Sequence, residues 1–313
     1  MEFNHKTVLL RETLEYLNIV NDGVYVDGTA GGAGLSLEIA SRISKNGKLV
    51  CIDQDPDAIL VCKERLKDYE NVIVVNDNFS NIRSIVHNCG FDGVDGVDGV
   101  VFDLGVSSYQ LDTAERGFSY KQDAPLDMRM SKDGKSAFEV VNFMSYDQLK
   151  HIIRTYGEEK FCSNIASNIV KRREREPIKT TLELAEIVKD SIPCYAKREG
   201  SHPAKRTFQA IRIYVNRELE SLERGLDGAF EILRTGGRLV VITFHSLEDR
   251  IVKIKMNEWA RGCICPSDFP VCVCGNTPKV KIVHKKAIKP SEEEVEFNSR
   301  SRSAKLRVCE KMA

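Results

Sequence analysis

Three aspartates each close a short apolar run in the first third of the chain. Asp27 ends the run VYVD, Asp53 ends KLVCID and Asp103 ends VDGVVFD. Apolar runs of this kind, separated by helical patterns, predict parallel β-strands, and ligands bind beyond the carboxyl ends of such strands. The sequence therefore predicts that three carboxylates meet at one edge of a sheet, where they could bind a cation or accept hydrogen bonds from hydroxyl groups.

A glycine-rich loop directly follows the first of these acids. It reads GTAGGAG over residues 28–34, and four glycines in seven residues let the backbone approach a ligand closely. Asp53 lies 26 residues after Asp27, where it is placed to accept hydrogen bonds from two ribose hydroxyls. Together, the loop and Asp53 predict a site for an adenosine-containing cofactor.

The loop also discriminates among adenosine cofactors. The dinucleotide fingerprint G-x-G-x-x-G fails because Leu37 takes the place of the third glycine, and no Gly-Lys-Ser/Thr follows to make a Walker A motif. An acid before the loop suits a cofactor that is cationic at sulfur and carries an amino group. The loop therefore resembles the first motif of class I methyltransferases, with Thr29 and Ala33 where glycines are commoner. S-adenosylmethionine is favoured, while a nicotinamide enzyme and a non-catalytic RNA-binding module stay open at this point.

The elements that would hold this site follow from hydrophobic patterning. Strands and helices alternate over the first hundred residues, and the alternation resumes with a long predicted helix, Phe208–Leu233, and a fifth strand, Arg238–Phe244. Between about residues 109 and 203 the strands stop and helical patterns replace them. We expect an α/β fold, a class I (Rossmann-like) methyltransferase domain over residues 1–108 and 204–313, with an inserted all-helical domain over residues 109–203. The predicted helices of the insertion are Ser136–Met144, Ser145–Tyr156, Lys160–Arg175 and Leu182–Ile192, and the predicted closing strands are Lys281–Ala287 and Lys305–Cys309.

Charge and composition narrow the setting. Lys+Arg and Asp+Glu are both 46, so the global charge does not indicate a nucleic-acid partner. No apolar run is long enough for a membrane span, the N-terminus has no secretory pattern, and ten cysteines without one indicate a reducing compartment, so we expect a cytoplasmic protein. One local stretch has six basic residues against a single acid, which predicts phosphate contacts or a solvated face. Its basic residues are Lys197, Arg198, Lys205, Arg206, Arg212 and Arg217.

Several longer segments resemble a single family. Together with YVDGTAGGAG they are similar to the ribosomal RNA small subunit methyltransferase H family, also called MraW, over nearly the whole chain. The segments are HKTVLL near the N-terminus, DLGVSSYQLD (Asp103–Asp112), RGFSY (Arg116–Tyr120), PLDMRM (Pro125–Met130), RTFQAIRIYVNREL (Arg206–Leu219) and FHSLEDRIVK (Phe244–Lys253).

The resemblance implies a function, RNA recognition by the helical insertion over residues 109–203, and a set of cofactor contacts. The implied reaction is methyl transfer from S-adenosylmethionine to N4 of a cytidine in the decoding region of small-subunit (16S) ribosomal RNA. Whether the substrate is free RNA or an assembled 30S subunit, and whether the chain forms a homodimer, stay open. Tyr109 stands where the family usually has proline, which leaves the backbone before Gln110 less constrained. The implied cofactor-binding residues are Ala33, Gly34 and Leu35 at the loop, Asp53 at the ribose, Phe79 near the adenine, and Asp103 and Gln110 after the fourth strand.

Asp103 is also the candidate catalytic residue. The exocyclic amine of cytosine shares its lone pair with the ring, so an acceptor for one of its N–H groups would make it more nucleophilic. Asp103 stands where amino-methyltransferases carry Asp or Asn; in the alternative, it binds only the amino group of the cofactor. The target base must leave its stack, and Tyr109, Phe118 and Tyr120 are either stacking surfaces for it or core residues.

Two further groups of residues carry chemistry that the reaction does not require. His245, Ser246, Glu248 and Asp249 are hydrolase residue types, but adjacency in sequence does not make a triad, and His245 either faces the cleft or caps a helix. Four cysteines, paired as C-x-C, could hold zinc, although structural sites usually place two to four residues within each pair. Free thiols in a loop are the alternative, and the sequence alone assigns no metal to Cys263, Cys265, Cys272 and Cys274.

Overall fold

The computed structural model describes residues 7–90, 96–196, 202–266, 269 and 271–313. The chain divides into two units. The first contains the residues up to Gly105 and from Leu219 onward, and the second runs from Val106 to Glu218. In the described part of the chain, no helix has the length and apolar character that crossing a membrane requires.

The first unit is built on a sheet of seven strands. They are β1 Val24–Asp27, β2 Lys48–Asp53, β3 Val72–Asn76, β4 Val97–Asp103, β5 Leu233–Thr243, β6 Val280–Ile282 and β7 Lys305–Lys311. Their order is β3-β2-β1-β4-β5-β7-β6. The first five strands in this order are parallel to one another, whereas β7 runs antiparallel to both β5 and β6. The 3-2-1-4-5 part is the order of a doubly wound fold, which confirms the predicted α/β, Rossmann-like fold class.

Among its described residues, this unit has seven helices that accompany the sheet. They are α1 Leu10–Leu17, α2 Gly34–Ala40, α3 Pro56–Arg65, α4 Ile82–Asn88, α11 Glu218–Ile232, α12 Ser246–Trp259 and α13 Glu292–Phe297. Alternate strand residues enter two separate cores, so that Val26 and Val50 belong to one and Tyr25 and Leu49 to the other. The central strands are therefore apolar along their whole length, which is why they were recognisable as continuous runs.

The second unit is helical. Its helices are α5 Ser108–Asp112, α6 Ala137–Phe143, α7 Tyr146–Gly157, α8 Cys162–Arg173, α9 Thr181–Ser191 and α10 Lys205–Asn216. The four predicted helical patterns are confirmed to within two residues at each end. Three of these four predicted helices begin with a capping box, in which a Ser or Thr and a Glu or Gln three residues later satisfy each other's backbone N–H groups. The pairs are Ser136 with Glu139, Ser145 with Gln148, and Thr180 with Glu183.

The predicted long helix Phe208–Leu233 is wrong, because the chain breaks it at Arg217. That residue has a left-handed backbone, with φ of 49°, and separates α10 from α11. Phe208 and Ile211 on α10 are buried in the core of the helical unit. The helical unit therefore extends to Glu218 rather than ending at residue 203 as predicted.

Two strand boundaries also differ from the prediction. The fifth strand was predicted to begin at Arg238, but β5 already begins at Leu233 and crosses a register shift against β4 between Val97 and Gly99. The first closing strand was expected to reach Ala287 but ends at Ile282. The chain then leaves the sheet and returns only for an isolated bridge at Ile288.

Candidate cofactor site at the carboxyl edge of the sheet

The register of the central strands aligns the three predicted acids. Asp27 on β1 is opposite Cys51 on β2 and opposite Val101 on β4. Asp53 and Asp103 therefore each lie two residues beyond the level of Asp27, on the two strands that flank β1. Because side chains alternate along a strand, residues two apart point to the same face of the sheet. This confirms that the acids share one edge, with the glycine-rich loop leaving from the strand between them.

Asp53 holds the glycine-rich loop in place. Its Oδ2 accepts a hydrogen bond from the backbone N–H of Gly31 at 2.8 Å, and its Oδ1 accepts one from that of Asp55 at 2.8 Å. Burial raises the pKa of Asp53 to about 6. A carboxylate oxygen can accept two hydrogen bonds, so each oxygen keeps one lone pair for a ribose hydroxyl.

Asp27 accepts hydrogen bonds from the glycine-rich loop and from α2, which follows it. Its Oδ2 accepts a hydrogen bond from the Ser36 hydroxyl at 2.6 Å, and its Oδ1 accepts one from the backbone N–H of Thr29 at 3.2 Å. Asp27 is only 1% exposed, and burial raises its pKa to about 6. The acid before the loop therefore contributes negative charge behind the site, rather than an oxygen for direct contact with the cofactor.

The loop departs from the usual glycine pattern at two positions, and the structure explains only the second. Ala33 caps α2 with φ of 60°, a left-handed backbone that glycine adopts more easily than alanine. Thr29 uses a side chain that glycine lacks, because its Oγ1 accepts a hydrogen bond from the backbone N–H of Asp103 at 2.6 Å. Thr29 thereby connects the loop to the end of β4.

The three residues at the start of α2 can offer only backbone groups. Ala33 and Leu35 have buried side chains, and a Cβ added at Gly34 would lie 2.5 Å from the hydroxyl oxygen of Thr7. Their predicted contact with the cofactor must therefore come from peptide N–H and C=O groups, and it stays a prediction.

Asp103 has the highest pKa of the three acids. Burial, together with the nearby carboxylates of Asp27 and Glu248, raises the pKa of Asp103 to about 8. Its Oδ1 is buried without a hydrogen-bond partner among the described residues. An unsatisfied buried polar atom costs about 1–3 kcal/mol, so a bound cation or donor would stabilise this position. The residues present therefore fit S-adenosylmethionine, which carries a sulfonium and an ammonium group.

Phe79 lies in a short 3₁₀ turn after β3. Its ring is half-buried, with its centroid 5.0 Å from that of Phe102, so part of the ring stays accessible to an adenine. Sequence reasoning missed two polar residues at this edge of the sheet, Gln54 and Asn78. The side chain of Asn78 donates a hydrogen bond from Nδ2 to Oε1 of Gln54 at 2.8 Å. They come one residue after Asp53 and one before Phe79, so their position just beyond β2 and β3 is the signal that could have identified them.

Gln110 lies in the helical unit and is buried. Its Oε1 accepts a hydrogen bond from the backbone N–H of Ser107 at 3.1 Å, while the Ser107 hydroxyl accepts one from the backbone N–H of Gln110. This capping box begins α5 and accounts for the side-chain oxygen locally. The predicted contact of Gln110 with the cofactor stays a prediction.

The three candidate stacking aromatics differ in their surroundings. Phe118 is buried in the core of the helical unit, so a stacking role is wrong for it and core packing is confirmed. Tyr120 stacks on His202, with ring centroids 4.6 Å apart and an interplanar angle of 18°. Tyr109 is half-buried in α5, and its role as a stacking surface stays a prediction.

His245, Glu248 and Asp249, which have the residue types of a hydrolase triad, form structural contacts. His245 caps α12, where its Nδ1 accepts from the backbone N–H of Glu248 at 3.4 Å and its Nε2 lies 3.0 Å from Glu248 Oε1. Asp249 accepts hydrogen bonds from Lys305 and Arg307 on β7, both at 2.7 Å. The capping alternative for His245 is therefore confirmed.

The basic stretch is less free than its sequence indicates. Arg212 forms a bidentate ion pair with Glu218, at 2.8 Å for both contacts, and Arg206 donates to the backbone carbonyl of Glu158 at 3.1 Å. Lys205 is exposed. Lys197 and Arg198 lie outside the described residues, as do His5 and Lys6 of the N-terminal segment.

The sheet order and the acidic, adenosine-directed edge define a class I, S-adenosylmethionine-dependent methyltransferase. The chain belongs to the MraW methylase family, whose model matches residues 2–312. Two similar relatives come from Clostridium botulinum, strains Kyoto / Type A2 and Loch Maree / Type A3. Each is called ribosomal RNA small subunit methyltransferase H, is 58% identical over 313 residues, and is matched over 100% of both chains. The family membership decides against the nicotinamide alternative.

The raised pKa of Asp103 predicts pH-dependent cofactor binding. In the cofactor-free protein the group stays largely protonated until the pH approaches about 8. A cation favours the ionised form, so binding must release a proton at lower pH. The affinity should therefore rise with pH by up to about tenfold per unit between about pH 6 and 8, and then level off. Isothermal titration in buffers of different ionisation enthalpy measures both the affinity and the released proton.

Asp103→Asn is the matched comparison for this titration. The amino group of the cofactor titrates equally with both proteins, so only the difference between them reports on Asp103. We expect the variant to lose most of the pH dependence and the proton release over this interval. An unchanged pH profile in a folded variant would contradict the assignment.

Proposed function

We propose that this chain methylates N4 of a cytidine in the decoding region of small-subunit (16S) ribosomal RNA, in the cytoplasm. The identity of the relatives named as small-subunit methyltransferases, 58% over the full length, supports the class of substrate. The buried Oδ1 of Asp103, unpartnered among the described residues, supports the chemistry, because an amine nucleophile needs an acceptor at the reacting edge. The family resemblance supports the choice of the cytidine amine.

S-adenosylmethionine supplies a methyl group that is already activated by the sulfonium, so the protein mainly has to align the acceptor. In this proposal Asp53 orients the ribose and the loop backbone positions the rest of the cofactor. The positive charge of the cofactor then ionises Asp103, because a cation beside a carboxyl group favours the carboxylate over the protonated acid. The ionised Asp103 accepts an N–H of the cytosine amine and takes the proton that the amine loses after it is methylated.

Asp103 has two oxygens and serves two ligands in this proposal. Asp103→Asn should raise the cofactor dissociation constant and also lower the rate at saturating cofactor by about 10²–10³, the usual loss for one well-placed electrostatic group. Asp53→Asn is the control, because it should weaken cofactor binding while a saturating concentration restores the rate. Single-turnover methylation of small-subunit RNA, with the product nucleoside identified by mass spectrometry, measures both effects.

Each outcome of that experiment separates the roles. Full rescue of Asp103→Asn by excess cofactor would remove the catalytic role and leave only cofactor binding. Methylation at the cytosine ring carbon, or at a different base, would contradict the N4 assignment. The same assay on deproteinised RNA and on 30S subunits identifies which of the two is the substrate.

We further propose that the helical unit contributes RNA contacts, and Lys205 is the residue that tests this most cleanly. Its side chain is exposed, whereas Arg206 and Arg212 bind groups within their own unit. Lys205→Glu should weaken RNA binding and reduce the slope of log affinity against log salt by about one, while leaving cofactor affinity unchanged.

Lys45→Glu is a matched control for this charge reversal. Lys45 is also exposed, but it lies in the turn before β2, at the amino end of that strand, whereas the candidate cofactor site is at the carboxyl ends of the strands. The control should bind RNA as the wild type does. Equal binding by Lys205→Glu and wild type at two salt concentrations would assign Lys205 to the solvated surface.

A further inference from the structure

The connection between α12 and β6 has no regular secondary structure in its described residues. Its two ends are joined by a hydrogen bond from the backbone N–H of Lys279 to the carbonyl of Trp259, at 2.7 Å. The side chain of Asn276 donates to the carbonyls of Arg261 and Gly262, at 2.9 and 2.7 Å. The connection is therefore a closed loop with a defined base.

Hydrophobic burial does not shape this loop. Its four described large hydrophobic side chains are between 51% and 74% exposed, namely Ile264, Phe269, Val271 and Val273. The sulfur atoms of its four cysteines, by contrast, lie close together. The Sγ atoms of Cys263, Cys265, Cys272 and Cys274 all lie within 4.8 Å of one another.

The spacing of these sulfurs matches a tetrahedral metal site. The Sγ atoms of Cys272 and Cys274 are 3.6 Å apart, and those of Cys274 and Cys263 are 3.7 Å apart. Four thiolates at about 2.3 Å from a central zinc lie about 3.8 Å from each other. The two C-x-C pairs thus reach the required geometry, although each pair has one intervening residue rather than the usual two to four.

Backbone donors point at the sulfurs. Cys274 Sγ accepts hydrogen bonds from the N–H groups of Ile264 at 3.4 Å and Asn276 at 3.5 Å, and Cys265 Sγ accepts one from Val273 at 3.4 Å. Gly275, with φ of +63°, lets the chain turn back so that the N–H of Asn276 reaches the preceding cysteine. Such donors stabilise the negative charge that a metal-bound thiolate keeps, and they orient it.

We propose that Cys263, Cys265, Cys272 and Cys274 bind one zinc ion as a structural tetrathiolate site. Four sulfur ligands fill the tetrahedral coordination sphere and leave no open position, which is the mark of a structural rather than a catalytic site. Binding replaces the four thiol protons, which pass to solvent, and the metal supplies the cohesion that the exposed apolar side chains do not. This site is separate from the carboxylates that hold the cofactor.

Metal analysis of the full-length chain tests the proposal. Protein purified under reducing, chelator-free conditions should contain about one zinc per chain, and Cys272→Ser/Cys274→Ser should retain less than about a tenth of that amount. Cobalt added to the metal-free protein should give the charge-transfer absorption of a tetrathiolate. Cys194→Ser, which removes an exposed cysteine of the helical unit, should retain full zinc content.

Cofactor affinity and zinc content are independent readouts here. If the double variant loses zinc but still binds S-adenosylmethionine, its methyltransferase unit is folded and the loss is specific to the loop. Wild-type protein with little zinc and four rapidly reacting loop thiols would overturn the proposal. Disulfides within the loop, found by mass spectrometry under the same conditions, or iron in place of zinc would also overturn it.

Discussion

Buried carboxylates at neighbouring strand ends cannot all be ionised without a nearby positive charge. Asp27, Asp53 and Asp103 face this constraint together, and burial raises the pKa of each. The protein satisfies part of the requirement internally, through backbone N–H groups and the Ser36 hydroxyl. What is left is concentrated on Asp103, whose buried Oδ1 has no hydrogen-bond partner among the described residues. In the proposed site, this carboxyl group is the one that favours a cationic cofactor.

The strand register turns this constraint into a site. With β1 between β2 and β4, two acids that each extend two residues beyond Asp27 flank the loop from both sides. The loop is in turn anchored to both flanking strands, to β2 through the hydrogen bond between Gly31 and Asp53 and to β4 through that between Asp103 and Thr29. A shift of one residue in either strand pair would point one acid to the opposite face of the sheet.

The parts of the structure with a strong local signal could be predicted from sequence. Strands buried on both faces are continuous apolar runs, and a capping box in the sequence indicates the residue at which a helix begins. No glycine or proline indicates the break at Arg217, and the hydrophobic pattern therefore predicts one helix where the structure has two. The core position of Phe118 depends on contacts with helices far along the chain. The interior role of Asp27 and the meeting of the four cysteines instead depend on how two short segments fold back on themselves, which sequence patterning does not show. Spacing alone left the cysteine cluster ambiguous, and only the distances between the sulfurs favour a metal.

The account rests on Asp103 being protonated in the cofactor-free protein and ionised once the cofactor is bound. Infrared difference spectroscopy at pH 7 observes this directly, because Asp27 and Asp53, with pKa values of about 6, are then mostly ionised, while Asp103, at about 8, is not. We expect the C=O stretching band of a protonated carboxylic acid to disappear on saturation with S-adenosylmethionine, and Asp103→Asn to lack that change. A band that persists in the saturated wild type, or an unaltered difference spectrum in the variant, would contradict the account.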